Sequence, residues 1–198
     1  MRKLIYYVAC SVDRFIAQKN GAAEGFLYEG PQADDLTHEF PETIPSHWRS
    51  QLGITSENGW FDTVLMGRKT YEIGLAEGVR SPYSILEQFV ISGSMTESPD
   101  SDVTLVKTDP LDLVRDLKEQ PGKHIWLCGG GELATTLYPE IDALILKVSP
   151  FLMGEGIPLF AGSVPLTQLT LADSKLYPNG FMRLHYTLNH GNAKQSVN

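Results

Sequence analysis

An α/β fold around a mostly parallel sheet is what this sequence predicts, and three observations carry the prediction. Short apolar runs alternate with segments of helical periodicity over most of the 198 residues. Runs that are apolar without alternation, such as Leu4 to Cys10, are the pattern of strands covered on both faces. The last third carries strands without intervening helices, which predicts an antiparallel hairpin at the C-terminal end. With 42% hydrophobic and 20% charged residues, the length suits a single domain with a substantial core, predicted over residues 1–188, with a polar, frayed tail over 189–198.

Leu4 to Cys10 is the first strand, bounded by Ser11-Val12-Asp13. After a glycine-containing stretch from Gln18 to Gly30, Pro31 to Phe40 reads as a helix. Proline suits its first position, Asp34 and Asp35 suit its positive end, and Leu36 and Phe40 share a face. Ser46 to Leu52 reads as a second helix with Ser46 as its cap. Thr63 to Met66 is a buried strand ending at Gly67, followed by a helix over Lys69 to Leu75. Gln88 to Ser92 and Val103 to Val106 are strands. Asp109 caps a helix that has Pro110 in its first turn, places Leu111, Val114 and Leu117 on one stripe, and stops before Pro121-Gly122. Ile125 to Cys128 is a strand leading through Gly129-Gly130-Gly131 into a helix from Glu132 to about Tyr138, and Ala143 to Val148, Leu166 to Ala172 and Met182 to Leu188 complete the strands.

A net charge of −8 and a pI near 5.1 exclude a broad basic face for nucleic acid, though not a local pocket for one phosphate. Cys10 and Cys128 each lie inside an apolar run and read as small buried hydrophobes rather than as a disulfide. The apolar stretch near the N-terminus is too short for a signal peptide core or a membrane span, so the expected location is cytoplasmic and the membrane is not an expected partner. The five histidines lack ligand spacing and there is no paired-cysteine motif, so no metal is expected.

Two segments carry candidate chemistry. Gly129, Gly130 and Gly131, with Glu132 and Leu133, follow a strand and open a helix. Bare backbone there either cradles a diphosphate or simply makes a tight turn. Gly67-Arg68-Lys69-Thr70 also follows a strand. Its cations and hydroxyl either grip phosphate oxygens, Arg68 being suited to the ribose phosphate that separates NADP from NAD, or form a solvated first helical turn. Ser92, after another strand, offers a hydroxyl for a third contact. Gly129, Gly131 and Ala134 satisfy a loose dinucleotide fingerprint, but its late position and the lack of a following ribose acid argue against a Rossmann domain.

Together these pieces resemble a known family. Val8 to Ala17 is similar to the first strand and loop of dihydrofolate reductase-like proteins, and Met66 to Glu72 to their cofactor strand end. Ile125 to Leu133 and Pro150 to Phe160 resemble the RibD C-terminal branch, the reductase of riboflavin biosynthesis. The resemblance implies a three-layer α/β/α fold of the dihydrofolate reductase type, with a mostly parallel central sheet, a C-terminal antiparallel hairpin, and NADPH across the strand ends. It implies that Gly67, Arg68, Lys69, Thr70 and Ser92 hold the ribose phosphate and diphosphate, that Gly129 to Leu133 wrap the diphosphate, and that the Ala9 backbone, Ile16 and Ala17 flank the nicotinamide.

The implied reaction is hydride transfer to a small heterocyclic or ribose-bearing substrate of pterin or riboflavin-precursor type. The alternatives are a true dihydrofolate reductase and a non-catalytic NADP-binding domain. For proton handling the candidates are Asp35, with Asp34 beside it, and Asp13. The first two are equally readable as helix-dipole partners and the third as a turn former. The family branch has glycine after that acid, where this chain has Arg14. Relatives in the branch are often dimers, so the resemblance leaves a homodimer open, with Pro150 to Met153 readable either as interface or as core.

Overall fold

The computed structural model describes residues 1–190. Its elements run β1 (Leu4–Cys10), β2 (Phe15–Ala17), α1 (Pro31–Glu39), α2 (Ser46–Gln51), β3 (Phe61–Gly67), α3 (Arg68–Ala76), β4 (Glu87–Ile91), β5 (Val103–Val106), α4 (Pro110–Glu119), β6 (His124–Gly129), α5 (Gly131–Thr136), β7 (Ile141–Val148), β8 (Ile157–Pro158), β9 (Leu169–Leu176) and β10 (Met182–Leu188). Eight strands form one sheet in the order β5-β4-β3-β6-β1-β7-β10-β9. All neighbours from β5 to β7 are parallel. β10 runs antiparallel to both β7 and β9, which gives the expected C-terminal hairpin.

Strand alternation divides the core into two layers. Leu4, Tyr6, Val8 and Cys10 of β1 meet Val114 and Leu117 of α4, Leu133 of α5 and Leu137 just after it. Ile5 and Tyr7 point the other way, towards Phe40, Tyr71 and the partly buried Leu36 beside α1 and α3. Both faces of the sheet are therefore covered, which is why β1 reads as an unbroken apolar run.

One buried carboxylate ties the α1 layer to the sheet. Glu42 is fully buried in a 3-10 turn over Pro41–Thr43, and accepts the backbone N–H groups of Gly59 (2.9 Å), Trp60 (2.6 Å) and Phe61 (2.7 Å) as the chain enters β3.

Several expectations need correction. Pro45 occupies the N-cap of α2, and Ser46 is its first helical residue, its hydroxyl accepting the Ser84 N–H at 2.8 Å. The strand expected over Leu166 to Ala172 is β9, which starts later and runs to Leu176. This edge strand is exposed along its whole length, so hydrophobicity does not mark its ends. The helix after the glycine turn is shorter than expected, stopping at Thr136 before a 3-10 turn over Tyr138–Glu140. Asn189 and His190, placed in the expected frayed tail, are held: the Asn189 N–H donates to Gln168 O, and the His190 ring pairs with Ile141 O at 2.7 Å. The remainder of that tail, 191–198, lies outside the described residues. Cys10 and Cys128 are free thiols, Cys10 buried and Cys128 part-buried.

Glu42→Ala strips an acceptor from three backbone donors at once. The expected result is a loss of at least about 3 kcal/mol in unfolding free energy, read from urea denaturation midpoints, with Glu42→Gln losing less.

Candidate functional site

The site is set by where two central strands part. β1 and β6 are paired only from Leu4↔Ile125 to Tyr6↔Leu127, although both strands continue. Beyond that point β1 stays with β7 as far as Cys10↔Val148, and β6 stays with β3 as far as Met66↔Gly129. The carbonyl of Tyr7, released from the ladder, accepts the indole N–H of Trp126 at 2.9 Å. A crevice therefore opens at the carboxyl ends of the central strands, where α/β sheets bind ligands.

The glycine turn and the cationic corner meet at this crevice. Gly67 ends β3 beside the turn, and a Cβ built on it would lie 3.6 Å from Gly129 O and 3.7 Å from Gly130 N. Gly129 has φ +144°, a region that favours glycine, and the Gly129–Gly130 peptide is cis. Cβ atoms built on Gly129 and Gly130 would make only ordinary contacts, with Thr70 Oγ1 at 3.8 and 3.9 Å and Ile16 Cδ1 at 3.9 Å, so the turn sets main chain against Thr70 and Ile16, with Gly129 buried and Gly130 part-buried. Gly131 has no such freedom, since a Cβ there would sit 2.3 Å from Pro158 O. Lys69 reaches Glu132 at 3.8 Å across the junction, both side chains being well exposed. Leu133 is buried against Gly67.

The remaining candidates differ in how committed their polar groups are. One nitrogen of Arg68, Nη1, donates to both carboxylate oxygens of Glu72, one turn along α3, at 2.7 and 2.9 Å; both side chains are about two-fifths exposed. Ser92 is buried, and its hydroxyl accepts the N–H groups of Ser94 (3.2 Å) and Met95 (3.0 Å). Ala9 lies on β1 past the point of parting, in register with Lys147 of β7. Ile16 and Ala17 lie on β2, which pairs with β8.

Asp13 joins two loops. Its carboxylate accepts the Ser11 hydroxyl at 2.5 Å and the N–H groups of Met153 (3.1 Å) and Gly154 (2.8 Å). The Ser11 hydroxyl and these two amides hold its carboxyl down at about 2. Asp13 is thus ionised and spoken for. The Val12 N–H donates to Phe151 O, and the Leu159 N–H donates to Arg14 O, so the first loop and the 150s loop form one clasped unit. Arg14 has φ +68°, which explains why glycine suits this position in the resembled branch. Within Pro150 to Met153, Phe151 packs edge-on against Phe26 with ring centroids 5.2 Å apart, while Leu152 is exposed.

Asp35 is tied to the edge of the sheet. Its carboxylate pairs with Lys175 on β9, and that ammonium holds its carboxyl below the usual range. Sequence patterning passed over Lys147, a cation inside the apolar run Ile145-Leu146-Lys147-Val148. That interruption was the signal available. Burial pushes the Lys147 ammonium down to about 8 and the neighbouring Cys128 thiol up to about 11. Among the described residues no group of three or more metal-ligating side chains is found, and no helix is long and apolar enough to cross a membrane.

Comparisons with known proteins agree with this architecture. The RibD C-terminal domain family matches residues 2–182. The uncharacterised protein YwjB of Bacillus subtilis is 31% identical over 188 residues, covering 93% of this chain and 97% of YwjB. Among solved structures, a pyrimidine reductase-like protein of Corynebacterium diphtheriae superposes with a TM-score of 0.60 at 16% identity, over 95% of this chain and 92% of that one. The diaminohydroxyphosphoribosylaminopyrimidine deaminase/5-amino-6-(5-phosphoribosylamino)uracil reductase of Thermotoga maritima gives 0.64 at 14% identity over 95% of this chain, which spans 57% of that bifunctional protein.

Asp13→Ala should unfasten the 150s loop without disturbing the sheet. Amide exchange at Met153 and Gly154 is expected to accelerate by about tenfold while β1 and β7 amides stay protected. Because the folded-state carboxyl is depressed, the clasp is complete above about pH 4 and is lost as pH falls towards 2, the same amides reporting it.

Proposed function

The chain belongs to the RibD C-terminal domain family, and from that membership and the crevice we propose that it is an NADPH-dependent reductase of a pyrimidine- or pterin-type heterocycle carrying a ribose-derived group. The observation that carries the reading is the meeting of bare backbone at Gly129–Gly130 with Gly67 and Thr70 at the place where β1 leaves β6.

The residues present fit a dinucleotide. A Cβ at Gly129 or Gly130 would project into the space that a diphosphate needs, and Thr70 Oγ1 lies beside both. Gly67, Lys69 and Thr70, with Gly129 to Leu133, are the residues that would hold the diphosphate. Arg68, with Ser92 behind it, would hold the ribose phosphate. The backbone of Ala9, with Ile16 and Ala17, would flank the nicotinamide. When bound, that group supplies a hydride.

The protein's part is to orient the reactants and exclude water. Ile16 lies beside Gly130, and the loop unit clasped by Asp13 carries it. Asp13, held ionised, acts by fixing this loop or by accepting a ribose hydroxyl, and does not donate a proton. Arg68 is the discriminating residue for NADPH. Its pair with Glu72 is partly exposed, so exchanging the carboxylate for a phosphate costs little.

Arg68→Ala is expected to weaken NADPH binding by about 10- to 100-fold, the weight of a charge-assisted contact, and NADH binding by less than about threefold. Glu72→Gln, which frees Arg68, should tighten NADPH. Fluorescence titration with both nucleotides measures this. Equal losses for the two in Arg68→Ala would remove Arg68 from the ribose phosphate.

A further inference from the structure

We propose that Lys147 is the proton donor of this site: its ammonium meets the electronegative atom next to the substrate carbon that receives the hydride, and delivers the proton that completes the reduction. The proposal rests on the reductase reading above.

Position is the first ground. Lys147 is in register with Ala9, beyond the point where β1 leaves β6, so it sits beside the stretch of β1 that opens onto the crevice. By strand alternation its side chain shares a face with Ala143 and Ile145, on the α1 side of the sheet. Its Nζ lies 4.2 Å from the centre of the Tyr7 ring on that face. Cys128, on β6 across the gap, packs in the same layer.

The second ground is that the cation has no anion. Among the described residues Lys147 makes no ion pair, and its ammonium rests on an aromatic face. Every charged or titratable group around it is otherwise engaged or neutral. Arg183, directly opposite on β10, is matched by Asp173 of β9 at 2.7 Å and Glu39 of α1 at 3.4 Å. Asp35 of α1 is paired with Lys175. Glu42 is bound by three backbone amides. Cys128, Tyr83 beside it and Tyr7 are all pushed towards their neutral forms, chiefly by burial. Lys147 is part-buried, and a desolvated ammonium without a carboxylate is costly unless something else accepts from it. With its titration point near 8, it is charged at neutral pH and gives up its proton readily.

The chemistry balances for a substrate presenting a C=O or C=N group. Hydride from a reduced nicotinamide adds to the carbon, the π electron pair moves onto the oxygen or nitrogen, and a new bond from that atom to hydrogen forms as one Nζ–H bond breaks. The carbon is reduced and the nicotinamide oxidised. Lys147 is left as a neutral amine and regains a proton from water. Binding of the accepting atom favours the ammonium form, so the two states of Lys147 report occupancy as well as turnover.

The test compares wild type with Lys147→Met, which preserves the packing on Tyr7, and Lys147→Arg, which preserves the charge. The first measurement follows the side-chain 13C signals of isotope-labelled lysine against pH, assigning Lys147 by its loss in the Met variant. The expected midpoint is near 8, moving upward when 5-amino-6-(5-phosphoribosylamino)uracil is added to the NADP-bound protein. The second follows NADPH oxidation with the same compound. Wild-type kcat should fall as pH rises through about 8, where the donor loses its proton. Lys147→Met should lose about 100-fold or more in kcat with NADPH affinity unchanged, and Lys147→Arg should recover part of the rate without the alkaline limb. A midpoint above 10, no movement on adding the compound, or a Met variant within about twofold of wild type with the same pH profile overturns the proposal. If wild type fails to bind NADPH at all, the reductase reading falls and this inference falls with it. Binding and turnover with an indifferent Met variant remove Lys147 alone.

Discussion

Backbone pairing at the centre of the sheet governs this molecule. β1 cannot follow β7 to Cys10↔Val148 and also follow β6, because β6 is drawn to β3 as far as Met66↔Gly129. The two strands therefore separate after Tyr6↔Leu127. Separation frees main-chain polar groups that a buried sheet would otherwise pair, and these need partners. Trp126 answers one of them by donating to the Tyr7 carbonyl. The parting opens a slot at the strand ends between the two apolar layers. Gly129 and Gly130, beside Gly67, stand on the β6 side of that slot and Ala9 on the β1 side, with Lys147 next to Ala9.

A second constraint operates above the slot. Residues 140 positions apart are held by one carboxylate, Asp13, which binds the amides of Met153 and Gly154. Gly131 and Gly156 add close approach: Cβ atoms there would lie 2.3 Å from Pro158 O and Ala17 O respectively. The glycine turn, the first loop and the 150s segment thus form one continuous wall. These contacts bring together motifs far apart in sequence. They also separate Asp13 from Asp35, two of the three acids singled out from sequence. Asp13 shapes this wall, and Asp35 fastens α1 to the edge strand through Lys175.

Much of the architecture could be read from the chain alone because its signals are local. Leu4 to Cys10 is apolar throughout since both faces are covered, and Asp109-Pro110 starts α4 with a side-chain cap, Asp109 accepting the Leu111 N–H. What escaped depends on tertiary contacts. β2 and β8 are too short to show alternation and exist through pairing with each other. β9 is exposed along its length, so Leu166 looks like strand core yet lies outside the strand almost fully exposed. Ser46 has the chemistry of a cap, but its hydroxyl serves Ser84. The commitments of Arg68 to Glu72 and of Ser92 to its own turn are likewise invisible without coordinates, as is the isolation of Lys147.

The most direct measurement is an amide chemical-shift map of the protein titrated with NADPH. The expected result is a set of saturable shifts at Gly67 to Thr70, at Gly129 to Leu133 and at Ala9, the three borders of the slot between β1 and β6. Shifts confined to Gln18, Lys19, Asn20, Glu24 and Gly25 with Phe151, Leu152, Met153 and Glu155, which line a surface cavity of about 670 Å³, or no saturable shifts at all, would contradict it.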